Sequence, residues 1–389
     1  MAFRTAIIIL DSDLKGDLPG ISPGTRWATF PVWGLYQFLD LFLYMAQNYL
    51  KKQSDLFFFV RPEDDDFLHA RFKQQEGLKL LPLGTAEDFA LWLKEQNYEK
   101  LLLWYTSFFA FFTENDFNLF FHTRATNPIR FNAGHSSLDL YLLNKNTLLK
   151  QLPSPLLNSE ANTLALTSNP PWPQKLFKDV LTKLAYEERD LEARLVLGRH
   201  PQELFNEHLI LLKDLSQFPI PPKTKNILGQ LKPASLKEAL ITEEAEVNNS
   251  FIAPGATVKG KVVNSVIFSQ VVIEKGAQVY DSVIMNGHTI GKNAVIKNTL
   301  ILPYTRAKTP NDLTIGPEAS IGGYDTLTKN KAFARLMKNG LTIIGMNNEI
   351  PPALKIEPAV FIEADLPKKA LLNYNKIERG SYLALGTKT

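Results

Sequence analysis

The most regular pattern of apolar and polar positions lies in the second half of the chain. One phrase recurs there four times at nearly constant steps, beginning at Val247, Val262, Val279 and Ile296. Between the phrases aliphatic residues keep a hexad spacing, as in Ile273-Glu-Lys-Gly-Ala-Gln and Ile290-Gly-Lys-Asn-Ala-Val. This spacing is typical of coils of three short strands whose inward side chains stack from coil to coil. The pattern predicts a left-handed hexapeptide parallel β-helix.

Each phrase also contains an Asn or Asp that is followed by Ser or Thr. These residues are Asn249, Asn264, Asp281 and Asn298. Side chains of these types satisfy backbone groups in tight turns. We therefore expect them to stack at one corner of successive coils, in a structural role.

Beyond Leu302 the hexads break at Pro303 and resume at Ile315 and Ile321. An excursion near residues 303–343 interrupts them, and its spacing predicts a helix over Lys329–Lys338. Hexad spacing then returns at Ile344, Ile350, Ile356 and Ile362. We place the β-helix domain at residues 236–365 and interpret residues 366–389 as a tail that caps the last coil or contacts a partner.

The first half of the chain alternates short β-branched or apolar runs with amphipathic segments. Predicted strands are Thr5–Leu10, Asp55–Val60, Leu78–Leu83 and Leu101–Tyr105, and predicted helices are Leu35–Lys51, Ala86–Asn97 and Pro201–Leu215, with a strand running into a helix over Leu138–Leu152. The alternation predicts an α/β domain of the Rossmann-like type with a mainly parallel sheet, over residues 1–217. The Pro-rich residues 218–235 read as a linker.

Composition excludes several classes of function. The 389 residues carry a net charge of +3 without a long basic block, which gives no reason to expect nucleic acid or a membrane as partner. The absence of cysteine excludes disulfides and thiolate metal sites. The first ten residues have too short an apolar run for a signal peptide. We expect a cytoplasmic protein.

The order of several motifs resembles the sugar-nucleotide pyrophosphorylases, specifically the ADP-glucose pyrophosphorylase (glucose-1-phosphate adenylyltransferase) family. Phe30-Pro-Val-Trp-Gly-Leu-Tyr-Gln-Phe-Leu-Asp40 is similar to that family's Val-Pro-Phe-Gly-Gly-x-Tyr-Arg-Leu-Ile-Asp block, and Gly84-Thr-Ala-Glu-Asp88 to its Gly-Thr-Ala-Asp-Ala turn. Leu204 to Leu212 resembles the helix that precedes the family's β-helix, with His208 in an Asn place. The resemblance implies nucleotidyl transfer between a nucleoside triphosphate and a sugar 1-phosphate.

The chain departs from the family where phosphates and metal should bind. Where family members have a Gly-rich, Arg-containing loop, this chain has Leu10-Asp-Ser-Asp-Leu-Lys-Gly-Asp17, in which only Lys15 opposes three carboxylates. At about 4 Å each like-charge approach costs roughly 1 kcal/mol in water, and more when desolvated. The family's basic residue falls near Trp27, beside Arg26, and its metal-binding Asp falls near Ser107, in a run of phenylalanines that we expect to be packed interior or a subunit contact.

We therefore predict no catalytic residue and no metal site, with Lys15, Arg26, Gly84 and Thr85 as remnants of a nucleotide or sugar site. The pattern resembles a catalytically deficient bacterial subunit type, which implies a regulatory or structural subunit of storage-polysaccharide synthesis. Its partner would be a catalytic ADP-glucose pyrophosphorylase-type subunit, a second copy, or both, with a sugar phosphate or nucleotide as possible effector and no required cofactor. The alternative is a divergent but active nucleotidyltransferase, which would need Mg²⁺.

A second alternative follows from His288 in Met285-Asn-Gly-His-Thr-Ile290. Hexapeptide acyltransferases use a histidine between coils as a general base. A lone histidine on a β-helix is more often structural, and we expect that role for His288.

Overall fold

The computed structural model describes residues 5–10, 19–23, 25–26, 30–34, 36–37, 54–60, 78–82, 86–105, 109–124, 126–133, 136–152, 180–197, 200–212, 237–307 and 312–385. The chain forms two compact units. The first comprises Met1–Ser12, Arg26–Ala28 and Leu41–Val196, and the second comprises Asp13–Thr25, Thr29–Asp40 and Leu197–Thr389. The predicted linker at 218–235 lies outside the described residues, so a boundary there stays a prediction.

The elements before the β-helix alternate between strands and helices. They are β1 (Thr5–Leu10), β2 (Pro31–Val32), β3 (Tyr36–Gln37), β4 (Ser54–Val60), β5 (Leu78–Pro82), α1 (Ala86–Glu95), β6 (Lys100–Tyr105), β7 (Phe109–Phe111), α2 (Glu114–His122), β8 (Ile129–Ala133), β9 (Ser136–Asn144), α3 (Lys145–Gln151), β10 (Glu187–Leu191), β11 (Arg194–Leu197) and α4 (Pro201–Leu209), with short 3-10 turns at Leu181–Lys183 and Ile210–Leu212.

A seven-stranded sheet in the order β10-β8-β9-β6-β1-β4-β5 forms the first unit. β1 pairs in parallel with both β4 and β6, and β9 is antiparallel to β6 and to β8. All six residues of β1 are buried, as expected for a strand covered on both faces. The predicted α/β class and its mainly parallel sheet are confirmed.

Buried Lys100 at the start of β6 ties that strand to α2. Its Nζ donates to the carbonyl oxygens of Phe120, Phe121 and Thr123 at 3.1, 2.7 and 3.1 Å. These carbonyls belong to the carboxyl end of α2, where backbone acceptors lack partners in the helix and a cation is favoured. Burial lowers the pKa of the Lys100 ammonium.

The predicted helix from Leu35 is wrong at its start. Tyr36–Gln37 pairs with Pro31–Val32 as an antiparallel hairpin instead. Trp33 and Gly34 in its turn have φ values of 48° and 85°, which reverse the chain before a helix can begin. The remainder of that predicted helix lies outside the described residues.

The second unit contains the β-helix. Its elements are β12 (Leu240–Ile241), β13 (Glu246–Asn248), β14 (Phe251–Ile252), β15 (Thr257–Val258), β16 (Lys261–Val263), β17 (Val266–Ile267), β18 (Val272–Ile273), β19 (Gln278–Tyr280), β20 (Val283–Ile284), β21 (Thr289–Ile290), β22 (Val295–Lys297), β23 (Thr299–Ile301), β24 (Ser320–Gly322), β25 (Thr342–Ile344), β26 (Lys355–Ile356), β27 (Phe361–Ile362), α5 (Lys368–Leu371), β28 (Lys376–Ile377) and β29 (Tyr382–Leu383).

Three parallel sheets make the sides of this β-helix. Their orders are β12-β15-β18-β21, β13-β16-β19-β22-β24-β26-β28 and β14-β17-β20-β23-β25-β27-β29. Isolated bridges join Ile290 to Ile315 and Ile315 to Ile350, which continues the first side. The hexad residues from Ile344 to Ile362 are buried as predicted. The predicted tail contributes a further coil, because β28 and β29 pair with β26 and β27.

The corner between the second and third sides is a polar ladder. Asn249, Asn264, Asp281 and Asn298 have φ values from 42° to 50°, in the left-handed region that Asn and Asp tolerate best among residues with a side chain. The next residue in each phrase adds a second row, in which the backbone N–H groups of Ser265, Ser282 and Thr299 donate to the hydroxyl one coil earlier, each at 3.1 Å. The predicted structural role is confirmed.

The third side is buried on both faces. Val266, Ile267 and Phe268 are consecutive and fully buried, and so are Val283, Ile284 and Met285. In a strand covered on only one face, buried and exposed side chains would alternate instead. The outer face is covered in part by α4, whose Leu204, Phe205 and His208 are buried, and by residues near Gly20 and Gly34.

The predicted helix over Lys329–Lys338 is wrong. The segment makes turns, with the Leu336 and Met337 N–H groups donating to the Phe333 carbonyl. Its apolar residues pack against the coils instead. The ring centroid of Phe333 lies 4.9 Å from that of Phe361. Left-handed Asn339 then ends the segment.

Candidate functional site

The sheet order of the first unit locates the expected ligand crevice. β1 has β4 on one side and β6 on the other, so the direction in which successive strands are added reverses at β1. Ligands of open α/β sheets bind outside the carboxyl ends of the strands at such a point. Leu10 and Tyr105 are paired at these ends of β1 and β6. A ligand of this sheet would approach there.

Of the four predicted remnants, the structure describes only Arg26. Lys15, Gly84 and Thr85 lie outside the described residues, as do residues 106–108 after β6. Arg26 is half-buried and interacts with another group of the molecule. The grouping of these four residues around a ligand therefore stays a prediction.

An aromatic cluster backs the carboxyl end of β6. Fully buried Trp104 meets Phe112 edge-on at 5.2 Å, and Phe112 meets Phe117 and Phe120 at 6.0 and 5.8 Å. Phe120 in turn meets Phe131 at 5.0 Å. Edge-to-face contacts of this kind favour a fixed, dry packing. For Phe112, the prediction that this aromatic run is packed interior is confirmed.

The buried carboxylate of Asp116, beside this cluster, is hydrogen-bonded mainly to backbone N–H groups. Asp116 Oδ2 accepts from the backbone N–H and hydroxyl of Thr113 at 2.7 and 3.0 Å, and Oδ1 accepts from the Glu192 N–H at 2.8 Å. Burial raises the pKa of Asp116. The Thr113-x-x-Asp116 pattern is a capping-box signature that sequence reasoning could have recognised. No group of three or more metal-ligating side chains occurs among the residues that the structure describes.

Residues downstream of the predicted phosphate loop pack within the second unit. The Gly20 N–H donates to Glu363 Oε1 at 2.8 Å, and the Gly20 carbonyl accepts from the Met346 N–H at 2.8 Å. Asn347 Nδ2 donates to Ser22 Oγ at 2.9 Å. At Gly34, an added Cβ would lie 2.6 Å from Phe251 Cε1. Sequence reasoning missed this docking, although the unbroken apolar triplets of the third side signalled a covered face.

His288 is buried inside the β-helix unit. Its Nε2–H donates to the Leu302 carbonyl at 2.7 Å, so Nδ1 accepts from the Thr314 hydroxyl at 2.9 Å. With both nitrogens engaged, the ring has no position from which to take a proton from a substrate. The geometry supports the expected structural role.

Comparison with known proteins adds family evidence. Residues 232–344 match the family model described as GlmU-like, C-terminal hexapeptide. A glucose-1-phosphate adenylyltransferase of Bacillus cereus is 29% identical over 171 residues, which are 43% of this chain and 42% of that protein. Those of Bacillus thuringiensis and Bacillus anthracis are 44% identical over 61 residues, 16% of each chain. The matches therefore span less than half the length of these relatives.

No helix in the part of the chain that the structure describes is long and apolar enough to cross a membrane. The matched hexapeptide region coincides with most of the observed β-helix, and the chain also contains a Rossmann-like unit. Fold and similarity agree. This chain is accordingly similar, over part of its length, to glucose-1-phosphate adenylyltransferases and to the GlmU-like hexapeptide family.

Proposed function

We propose that this chain is a catalytically deficient subunit of a glucose-1-phosphate adenylyltransferase, with a regulatory or structural role in storage-polysaccharide synthesis in the cytoplasm. It binds a catalytic homologue and alters that subunit's response to substrate or effector. It requires no cofactor of its own, and a sugar phosphate or nucleotide remains the candidate effector class.

The aromatic cluster at the carboxyl end of β6 carries this proposal. Nucleotidyl transfer needs cations and backbone donors around a triphosphate, and carboxylates that hold Mg²⁺. At this end of β6 the described chain offers the buried pair Trp104 and Phe112. Asp116, the nearby buried acid, is already occupied by three donors. Metal binding there would break a helix cap.

The sequence adds a second argument from the loop after β1. Asp11, Asp13 and Asp17 stand where the family places phosphate-binding groups. Their negative charge opposes a triphosphate unless a metal bridges them. The β-helix, in contrast, is regular, and it offers a surface on which another subunit could bind.

Activity measurements test the proposal directly. The purified chain is incubated with ATP, glucose 1-phosphate and Mg²⁺, and pyrophosphate release is followed with and without the catalytic homologue from the same organism. We expect no turnover by the chain alone, a stable complex on mixing, and a shifted substrate or effector response of the homologue. Serum albumin at equal concentration is the control for non-specific stabilisation.

Two results would reject this function. Pyrophosphate release by the chain alone would favour the divergent but active nucleotidyltransferase. Identical response curves with and without the chain would remove the regulatory role. A test for CoA-dependent acyl transfer should be negative, because His288 is fully engaged in the interior.

A further inference from the structure

The polar corner of the β-helix carries two tyrosines on its outside. Tyr280 ends β19 and directly precedes the corner residue Asp281. Tyr324 follows Gly322 and Gly323 after β24 and returns to this corner, where its hydroxyl donates to Asp281 Oδ2. The two glycines have φ values of 74° and 151°, which permit this return. The two tyrosines lie close enough to interact electrostatically, so they belong to one surface.

Tyr324 is held at its hydroxyl and displays its ring. β24 lies two strands beyond β19 in the order β19-β22-β24, so residues 322–324 cross about 10 Å along the corner to reach Asp281. The side chain is nevertheless 64% exposed. Partial burial, together with the hydrogen bond to Asp281, raises the pKa of Tyr324. A neutral aromatic ring in a fixed position therefore presents a face to solvent.

Tyr280 is fixed in the same way. Its hydroxyl donates to Gln278 Oε1 at 2.8 Å, and Lys297 Nζ lies 5.6 Å from the centroid of its ring. A cation at a partly exposed site over a ring contributes little and can move aside for a ligand. Fixed tyrosine rings offer a ligand a large contact area at a low cost in conformational entropy.

The amides of the corner provide hydrogen-bonding groups beside these rings. Asn249 Nδ2 donates to Asn264 Oδ1 at 2.8 Å, and Asn264 Nδ2 donates to Asp281 Oδ1 at 3.2 Å. Each amide has a second N–H group that this ladder does not use. The ladder repeats about every 4.8 Å, which is close to the length of one hexose unit in a polysaccharide. We name Asn249, Asn264, Tyr280, Asp281 and Tyr324 the corner surface.

The charges of the corner surface select an uncharged partner. Asp281 is offset by nearby Lys297, and Lys261 on the same side pairs with Glu246 at 2.5 Å. Such a balanced surface gives little attraction to a polyanion or a polycation. Sugar rings, in contrast, combine C–H faces that pack on aromatic rings with hydroxyl groups that bind amides and carboxylates.

We propose that the corner surface binds a neutral α-glucan chain. Its sugar rings pack on Tyr324 and Tyr280, and its hydroxyl groups bind the amides and Asp281. The corner extends over four strand steps from β13 to β24, about 19 Å, which accommodates several sugar units in a row. The choice of an α-glucan rests on the proposed role in storage-polysaccharide synthesis. Binding would hold this subunit at the polymer that the pathway extends.

Glucan binding is measured on the full chain without any catalytic homologue. Co-sedimentation with glycogen gives the bound fraction, and calorimetric titration with maltoheptaose gives the dissociation constant. Dextran, in which the glucose units are linked differently, and the polyanion heparin are the comparison polymers. The variants are Tyr280→Ala with Tyr324→Ala, and Tyr324→Phe. Leu327→Ala, at an 89% exposed position of the same excursion, is the control, and thermal melting verifies that each variant is folded.

We expect wild type to sediment with glycogen and to bind maltoheptaose. The double alanine variant should raise the dissociation constant about tenfold or more, while Leu327→Ala does not change it. Tyr324→Phe should stay within about threefold of wild type, because the ring remains. Three results would overturn the proposal: wild type that does not bind glycogen, a double variant that binds like wild type, or equally tight binding of dextran or heparin.

Failure of this proposal can be distinguished from failure of the proposed function. The catalytic homologue is absent from the binding measurements, so a chain that does not bind glucan could still alter the homologue's response. Conversely, a chain that binds glycogen through Tyr280 and Tyr324 but leaves the homologue's response unchanged would reject the regulatory role alone.

Discussion

The buried histidine of α4 gives a quantitative prediction about acid stability. His208 is fully buried, with its ring 5.1 Å from that of Phe268, and its Nδ1–H donates to the Leu204 carbonyl at 2.7 Å. Its Nε2 has no hydrogen-bond partner among the residues that the structure describes. Protonation would place a charge on this nitrogen in apolar surroundings. Burial accordingly lowers the pKa of His208 to about 4.

The size of the effect follows from proton linkage. An unfolded histidine has a pKa of about 6.5, so the folded unit favours the neutral ring. The resulting stability is fully present above about pH 6.5 and is lost as the pH falls toward about 4. The whole effect is about 3 kcal/mol, of which about 2 kcal/mol is lost between pH 7.5 and pH 5. For a domain of this size that corresponds to a fall of about 4–8 °C in melting temperature.

The variant His208→Leu removes the titration and keeps an apolar side chain in the site. At pH 7.5 we expect its free energy of unfolding to lie within about 1 kcal/mol of wild type, because one hydrogen bond is lost together with one unsatisfied nitrogen. Between pH 7.5 and pH 5, the difference in free energy of unfolding between variant and wild type should shift by about 2 kcal/mol in favour of the variant, because only wild type loses stability through His208. Melting temperatures between pH 7.5 and pH 4.5 measure the divergence.

His122→Gln, at an exposed position of α2, controls for general acid effects. Its melting curve should fall in parallel with that of wild type. If His208→Leu also follows the wild-type curve in parallel over the whole range, His208 is not buried in its neutral form and the reasoning fails.

Three further substitutions test packing within each unit. Lys100→Met leaves the carboxyl-end carbonyls of α2 without their donor, and should lower the free energy of unfolding by about 2 kcal/mol in urea titration, whereas exposed Lys94→Met should be neutral. Gly34→Ala combines a φ of 85° with a 2.6 Å approach to Phe251, and should cost about 1–3 kcal/mol; an unchanged melting temperature would contradict this docking. Asn330→Ala removes a side chain that bridges two coils and caps its own turn, so we expect about 3 kcal/mol of destabilisation and faster proteolysis within residues 323–341.

Much of the β-helix could be predicted because each coil repeats the same short sequence pattern. The inward rows that include Ile273 and Ile290 need only hexad spacing, and the Asn249 corner needs only a residue that tolerates positive φ. The core strand β1 could also be predicted, because a short β-branched and apolar run is typical of a buried strand. In these places local pattern and tertiary structure agree.

The site could be predicted only in outline. The motif order indicated the family, and the phenylalanine run was correctly expected to be packed at Phe112. Whether Lys15 and Arg26 still share a ligand stays a prediction. The hydrogen bonds that commit Asp116 and His288 depend on groups distant in sequence, among them the Glu192 N–H and the Leu302 carbonyl.

By itself the sequence determined the repeating unit of the β-helix and the alternation of strands and helices in the first unit. That acids replace phosphate-binding groups after β1 stays a prediction. Tertiary structure alone decided what covers the third side and what shape the excursion takes. The residues around Gly20 reach Glu363 and Met346, and the excursion is pinned at Ala359 and Ser381. Such contacts join segments far apart along the chain. No local period encodes them, and their burial energy overrides the helical spacing of Lys329–Lys338.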